Sequence, residues 1–120
     1  MASGCDRRSP FEELRAHLDW ISSYIAGPRF RGCLFLNAVA EFPENDHPSR
    51  SVCHRHKAEL RRRLTNLAVA AGLAEPDVLA KELILVIDGA FANSQVLGKR
   101  GPACRLRETG DVLIEMSRRA

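Results

Sequence analysis

The chain has 120 residues, of which 45% are hydrophobic and 28% charged, and its formal net charge is +3. These values fit one globular domain and exclude a disordered tail, and the charge is too mild to indicate a nucleic-acid-binding protein by itself. No run of 18 residues lacks a charge and the N-terminus has no apolar signal segment, so we expect a cytoplasmic protein without membrane contact.

The N-terminal half is predicted to contain two helices. A polar, irregular lead over residues 1–9 precedes a helix over 10–26, which begins at a Ser-Pro pair with acidic residues after it and ends at Gly27. The segment GCLFLNAVAEF lies in the second predicted helix, over 31–42, which Pro43 ends.

The rest of the chain is predicted to form three more helices, over 48–71, 76–97 and about 102–118. Prolines stand near the start of each, and Gly72 and Gly98 follow the first two. No segment alternates apolar and polar residues with a period of two, so no sheet is expected. The predicted fold class is therefore all-α, with about five helices in one domain over residues 10–118.

The helix predicted over 48–71 has an apolar face and a basic face. At about 100° per residue, the apolar face is predicted to contain Val52, His56, Leu60, Leu64 and Leu67, with Cys53 and Ala71 beside them. His56 is expected near the middle of this buried face. The basic face carries Arg50, Arg55, Lys57, Arg61, Arg62 and Arg63 against Glu59 alone. It could contact phosphates, although such a face is more often simply solvated.

The helix predicted over 76–97 has two apolar arcs. The broad one suits the domain's own core and contains Leu79, Leu83, Val86, Ile87, Ala90, Phe91 and Leu97. The narrow one contains Val78, Leu85, Gly89, Ala92 and Val96, and its last four members step by 4, 3 and 4 as in a coiled-coil seam. In the last helix Leu106, Gly110 and Leu113 step by 4 and 3. We interpret both sets as candidate dimer-interface residues.

The sequence offers little support for catalysis or for a metal site. The four cysteines form no CxxC pair, and in the CHRH cluster at 53–56 the two histidines point to different sides of a helix. A nucleophilic pair of Cys53 with His56 has no recognisable oxyanion loop, and neither a phosphate loop nor a paired-carboxylate motif occurs. We therefore predict no enzyme activity, no metal and no cofactor.

A small-molecule pocket between helices is the remaining site hypothesis. Polar residues within apolar surroundings and an aromatic flank of His17, Trp20 and Tyr24 suit such a pocket, although satisfied core polar groups would give the same pattern. The candidate pocket residues are Trp20, Tyr24, Phe35, Asn37, His56, Leu60, Asp88 and Phe91.

Three stretches together resemble a known family. FRGCLFLNAVAEFPENDHPSR, HKAELRRRLTNLAVAAG and LAKELILVIDGAFANSQVLG look like the C-terminal domain of tetracycline-repressor (TetR/AcrR) transcriptional regulators. The resemblance covers residues 10–118 and is most specific over 30–98. It implies an effector-binding and dimerisation domain whose last two helices form a four-helix bundle with a second copy. Family members also carry an N-terminal helix-turn-helix domain, which nine polar residues do not supply here.

The predicted function is that of a regulator's ligand-binding and homodimerisation domain, with a small, largely apolar effector. DNA contact would require a helix-turn-helix domain absent from this chain. An alternative is a helical interaction module that heterodimerises with a full-length regulator. A third hypothesis is direct nucleic-acid binding through the basic face of residues 48–71.

Overall fold

The computed structural model describes residues 8–27, 48–98 and 100–120. Within them it contains four α-helices: α1 (Pro10–Ala26), α2 (Pro48–Ala70), α3 (Pro76–Leu97) and α4 (Leu106–Arg119). A short 3-10 turn, Pro102–Arg105, leads into α4. No strand occurs in the described part of the chain. The all-α fold class is confirmed, and the helix predicted over 31–42 lies outside the described residues.

The helix ends follow from a few residues whose chemistry was visible in the sequence. At the start of α1 the Ser9 hydroxyl accepts a hydrogen bond from the Glu12 N–H at 3.1 Å, and the Glu12 carboxylate accepts one from the Ser9 N–H at 3.0 Å. This reciprocal capping box satisfies two N–H groups that a helix end otherwise leaves open. The bond from the Ser9 backbone is the main reason that the pKa of Glu12 is lowered.

The end of α2 shows why a glycine is needed there. Gly72 has a φ of 72°, in the left-handed region that side chains with a Cβ rarely adopt. This turn lets the Leu73 N–H reach the carbonyl of Ala68 at 3.0 Å and the Gly72 N–H reach that of Val69 at 3.0 Å. The pair of bonds is a Schellman motif, and the buried Leu73 side chain completes it.

The core lies between all four helices, with α3 in contact with each of the others. Its fully buried leucines and isoleucines come from every helix: Leu14, Leu18, Leu64, Leu79, Leu83, Ile87, Leu106 and Ile114. The broad apolar arc predicted for α3 supplies Leu79, Leu83 and Ile87 of this set, so its core-facing role is confirmed for these residues. The prediction is wrong for Leu97, which is 58% exposed in the last turn of the helix.

Two ion pairs connect α1 to α4 across the edge of the core. The Arg15 guanidinium donates to both carboxylate oxygens of Asp111, at 3.1 and 2.9 Å, and Arg107 lies 3.6 Å from the Asp19 carboxylate. Because all four side chains are partly solvated, we expect at most about 1 kcal/mol from each pair. Their main effect is to fix the position of α4 against α1.

Candidate functional site

The narrow apolar arc of α3 is exposed, and we call it the outer stripe: Val78, Leu85, Gly89, Ala92 and Val96. Leu85 and Val96 are 74% and 82% exposed, although the opposite side of the same helix is packed in the core. A helix that already buries one apolar arc gains nothing within its own domain from a second one. The outer stripe therefore has the properties of a surface that another chain covers.

The predicted interface residues of α4 lie elsewhere than the sequence suggested. Leu106 is only 2% exposed, Gly110 is buried, and Leu113 packs against the core from a half-buried position. At Gly110 an added Cβ would lie 2.4 Å from Cδ1 of Leu18, so this glycine lets α1 approach closely. The prediction that these three residues face a second copy is wrong for Leu106 and Gly110, because their side of α4 is its core-facing side.

The exposed apolar residues of α4 are instead Val112 and Met116, which are 58% and 67% exposed. They lie one turn apart on the side opposite Gly110, where most other residues are charged or polar. Sequence reasoning missed them because the Leu106, Gly110 and Leu113 spacing was more conspicuous. Two apolar residues four apart on a polar face were the available signal.

A shallow groove between α3 and the start of α4 lies beside Gly89, the half-buried member of the outer stripe. It has a volume of about 160 Å³, with Gly89 and Asn93 of α3 on one side and Arg105 and Thr109 on the other. Thr109 precedes Val112 by three residues and so continues the same side of α4. We use the name outer face for the outer stripe of α3 together with the exposed apolar residues Val112 and Met116 of α4.

The buried face of α2 is rotated from the one predicted. Cys53, Leu64 and Ala68 are buried, whereas His56 is exposed and Val52 is 46% exposed. The predicted stripe stepped by four residues from 52 to 64, and each such step advances 400°, which is 40° more than a full turn. Three steps displace Val52 by about 120° from Leu64, so the placement of His56 in the core is wrong.

Three of the predicted pocket residues come together in a row of rings that we call the aromatic row. Trp20 and Tyr24, one turn apart on α1, are stacked with ring centroids 5.7 Å apart and planes 2° from parallel. The Phe91 ring of α3 lies 6.4 Å from that of Tyr24 and is tilted by 56°. Trp20 and Tyr24 remain exposed among the described residues, so their ring faces are available to form the wall of a site.

A cleft of about 590 Å³ runs along α1 beside Trp20. Among the described residues its lining is largely polar and comprises Arg8, Glu12, Glu13, Arg15, Ala16, His17, Asp19, Trp20 and Ser23. The pKa of His17 is lowered, chiefly because burial disfavours the charged imidazolium, with a further contribution from Arg63 that Glu13 opposes. His17 is therefore a neutral donor and acceptor at the inner side of this cleft at neutral pH.

The other predicted pocket residues are distributed over α2 and α3. Leu60 is half-buried against the core, and Asp88 is half-buried and accepts a hydrogen bond from the ammonium group of Lys57. Phe35 and Asn37 lie outside the described residues. The role of all of these residues in ligand binding stays a prediction.

Membrane-spanning helices, metal sites and a nucleic-acid surface are the remaining classes of site. Over the described ranges, no helix is long and apolar enough to cross a membrane, and no three metal-ligating side chains converge. The basic side chains Arg55, Arg61, Arg62 and Arg63 of α2 are exposed, and their contact with nucleic acid stays a prediction.

Comparison with known proteins identifies the family. A family model described as "Tetracyclin repressor-like, C-terminal domain" matches residues 10–109, which is most of the chain. The chain belongs to the TetR family. This is a family of transcriptional regulators, not one of enzymes, and the match is to its regulatory domain.

Relatives of this TetR-family domain are longer proteins. It is 25% identical over 85 residues to the HTH-type transcriptional regulator YjdC of Escherichia coli, with 71% of this chain and 44% of that protein covered, and the match to YjdC of Shigella flexneri has the same values. Crystal structures of the Streptomyces avermitilis TetR transcriptional regulator sav143 and of SCO4454 from Streptomyces coelicolor superpose with TM-scores of 0.86 and 0.84.

The two solved structures are 30% and 26% identical to the chain and match 98% and 91% of it. The chain in turn covers 64% and 54% of their lengths, and 44% of the curated relatives. The chain therefore spans only part of the length of each of these relatives.

Proposed function

We propose that this chain is the regulatory domain of a transcriptional regulator, working in the cytoplasm without catalysis of its own. In this proposal two copies associate through the outer face, and a small, largely apolar effector binds against the aromatic row. DNA is contacted by a helix-turn-helix domain and not by the described helices. Membership of the TetR family supports the general role, and the surface of α3 supports the association.

The observation that carries the proposal is the exposure of the outer stripe. Leu85, Ala92 and Val96 project from a helix whose opposite arc already fills the core. Covering an apolar surface of this kind stabilises an assembly by about 25 cal/mol for each Å² removed from water. Because a twofold axis brings the same surface of each copy together, α3 and α4 would form a four-helix bundle with their counterparts.

The substitution Gly89→Arg tests the dimer without disturbing the fold. Nothing lies within 4 Å of a Cβ built at Gly89, so the helix accepts a side chain, whereas a second helix packed there could not. In static light scattering we expect wild type at twice the 13.3 kDa of the chain and Gly89→Arg at the monomer mass. Val69→Arg, which places the same charge at an exposed position of α2, should remain dimeric.

Two outcomes of this experiment would contradict the proposal. A dimeric Gly89→Arg would remove the outer stripe from the interface. A wild-type chain that is monomeric at high concentration would remove the homodimer, and it would favour the alternative in which the same stripe covers a full-length regulator instead.

The effector site has a natural reporter, because Trp20 is the only tryptophan of the chain. Its indole N–H gives a single NMR resonance, and a planar ring stacked on the aromatic row would shift it. With 2-naphthol as a neutral planar probe, we expect a saturable shift that Tyr24→Ala weakens and that Val69→Ala leaves unchanged. A resonance that does not move would eliminate the aromatic row as a ligand wall and would leave the dimer proposal intact.

A further inference from the structure

The surface between α2 and α3 contains a groove that is rich in positive charge. Its volume is about 250 Å³, and it is lined by His54, Lys57, Ala58, Arg61, Lys81 and Ile84. The α2 members follow a single row with spacings of three and four residues, so they lie along one side of that helix. The α3 members lie one turn apart and face that row across the groove.

The charges in this groove are not balanced by the protein. The ammonium group of Lys57 donates a hydrogen bond to the carboxylate of Asp88 on α3. Within the described part of the chain, Arg61 and Lys81 make no ion pair, whereas Arg15, Arg62 and Arg118 each contact a carboxylate. One of the three cations is thus paired with a carboxylate and two are not, and the repulsion among them is a cost that an anion in the groove would relieve.

The floor of the groove is apolar, which narrows the chemistry further. Ala58 and Ile84 are the apolar members of its lining, and Ile84 packs against the core from a half-buried position. A simple inorganic anion would use the cations and leave this floor in water. An apolar chain attached to the anion would cover it and so remove apolar surface from water.

We propose that the groove between α2 and α3 binds a small amphipathic anion, with a phosphate or similar anionic head held by Arg61 and Lys81 and a short apolar chain over Ile84. The volume lies below the range of about 300–1,000 Å³ that is typical of sites for drug-sized ligands, which indicates a short chain. The arginine side chain presents several N–H donors to such a head, and the lysine adds a mobile point charge.

This site is separate from both parts of the proposed function. Its residues belong neither to the aromatic row nor to the outer face, so binding there requires neither an effector on Trp20 nor a dimer. The groove nevertheless adjoins the outer stripe, because Lys81 lies one turn before Leu85 on the same side of α3. An anion in the groove would stabilise α3 against α2 and so raise the melting temperature of the domain.

Hexyl phosphate is a suitable probe, measured by isothermal titration calorimetry at low salt. We expect saturable binding to the wild-type chain, weaker binding of inorganic phosphate, and none of hexanol. Raising the salt concentration should weaken the binding, because exposed charges are screened. Hexyl phosphate should also raise the melting temperature, and hexanol should not.

The double variant Arg61→Gln with Lys81→Gln removes the two unpaired cations from exposed positions. We expect its affinity for hexyl phosphate to fall by about tenfold or more, since hydrogen bonds to charged groups are among the stronger ones. The matched control is Arg55→Gln with Arg62→Gln, which also removes two positive charges. Both of these positions are on α2 and outside the groove lining, so this variant should bind hexyl phosphate as wild type does.

Three results would overturn the proposal. One is the absence of saturable binding of hexyl phosphate at low salt. Another is equal binding by the two double variants, which would show that net charge and not the groove attracts the anion. The third is hexanol binding as tightly as hexyl phosphate, which would show that the cations take no part.

Discussion

Gly89 on α3 and Gly110 on α4 occupy the same kind of sequence pattern and opposite environments. Each has apolar or small neighbours at spacings of three and four residues. A Cβ built at Gly89 meets nothing within 4 Å, whereas one at Gly110 lies 2.4 Å from Cδ1 of Leu18. The first glycine leaves room for something outside the domain, and the second has used its room for α1.

The difference lies in the opposite side of each helix. Behind Gly89, α3 has a complete core arc containing Leu83 and Ile87, so its second stripe is surplus to the domain. Behind Gly110, α4 has mostly charged residues with Val112 and Met116 among them, so its Gly110 side has to face the core. A small-residue seam therefore predicts an interface only when the same helix has another apolar arc to bury.

The same substitution made at both glycines tests this difference most directly. Gly110→Ala should lower the free energy of unfolding by about 1–3 kcal/mol, because Leu18 is fully buried and has little room to move away. In the monomer, Gly89→Ala should raise it by up to about 1 kcal/mol through helix propensity. Urea denaturation followed by circular dichroism measures both. A Gly110→Ala chain more stable than wild type would show that α1 and α4 do not pack as closely as described.

The comparison also shows which parts of the molecule the sequence could predict. The bounds of α1 and α3 were predicted correctly because proline and glycine act through local backbone geometry. The two arcs of α3 were predicted because a helix 22 residues long keeps a regular angular spacing that the sequence displays. The position of His56 was not predicted correctly, because small angular errors accumulate when a stripe is followed in steps of four residues.

The groove between α2 and α3 is a different case, since no projection of a single helix reveals it. Arg61 and Lys81 are twenty residues apart, and their proximity depends on how the two helices slide against each other when Leu64 and Leu83 enter the core. A one-turn shift of about 5.4 Å would separate them. The sequence shows the charges, and only the packing shows that they share a groove.

A smaller effect is expected from the exposed residues of α4, which test whether the side of this helix opposite Gly110 faces a second copy. Met116→Lys should weaken self-association by about tenfold or more, because an apolar side chain that a partner would cover becomes a charge that has to be desolvated. Its effect on the unfolding of the monomer should stay within about 0.5 kcal/mol, as for most surface substitutions. Sedimentation equilibrium gives the dissociation constant.

Val69→Lys on α2 is the control for Met116→Lys, since it introduces the same side chain at another exposed apolar position. It should leave the dissociation constant unchanged. If Met116→Lys associates as tightly as wild type, α4 lies outside the interface and only the outer stripe of α3 remains as its basis.

The smallest effect that we predict is a pH dependence of stability, on the core-facing side near Gly110. His17 precedes Leu18, the residue that covers Gly110, and it is buried, so its pKa is lowered from 6.5 mainly by desolvation. Just below pH 6.5 the unfolded chain binds a proton at this histidine more readily than the folded chain does. Stability rises with pH wherever the unfolded state holds more protons than the folded state. The contribution of His17 to stability is therefore present above pH 6.5 and is lost as the pH falls from there through the lowered pKa of the folded chain.

The substitution His17→Gln should remove this part of the pH dependence. Thermal unfolding of wild type and His17→Gln, compared at a series of pH values, isolates it because the carboxylates titrate alike in both chains. We expect the difference in melting temperature to favour wild type less and less as the pH falls through the range below 6.5. A difference that stays constant over that range would mean that His17 is as easily protonated in the folded chain as in the unfolded one, and that the region between α1 and α2 is wetter than its burial indicates.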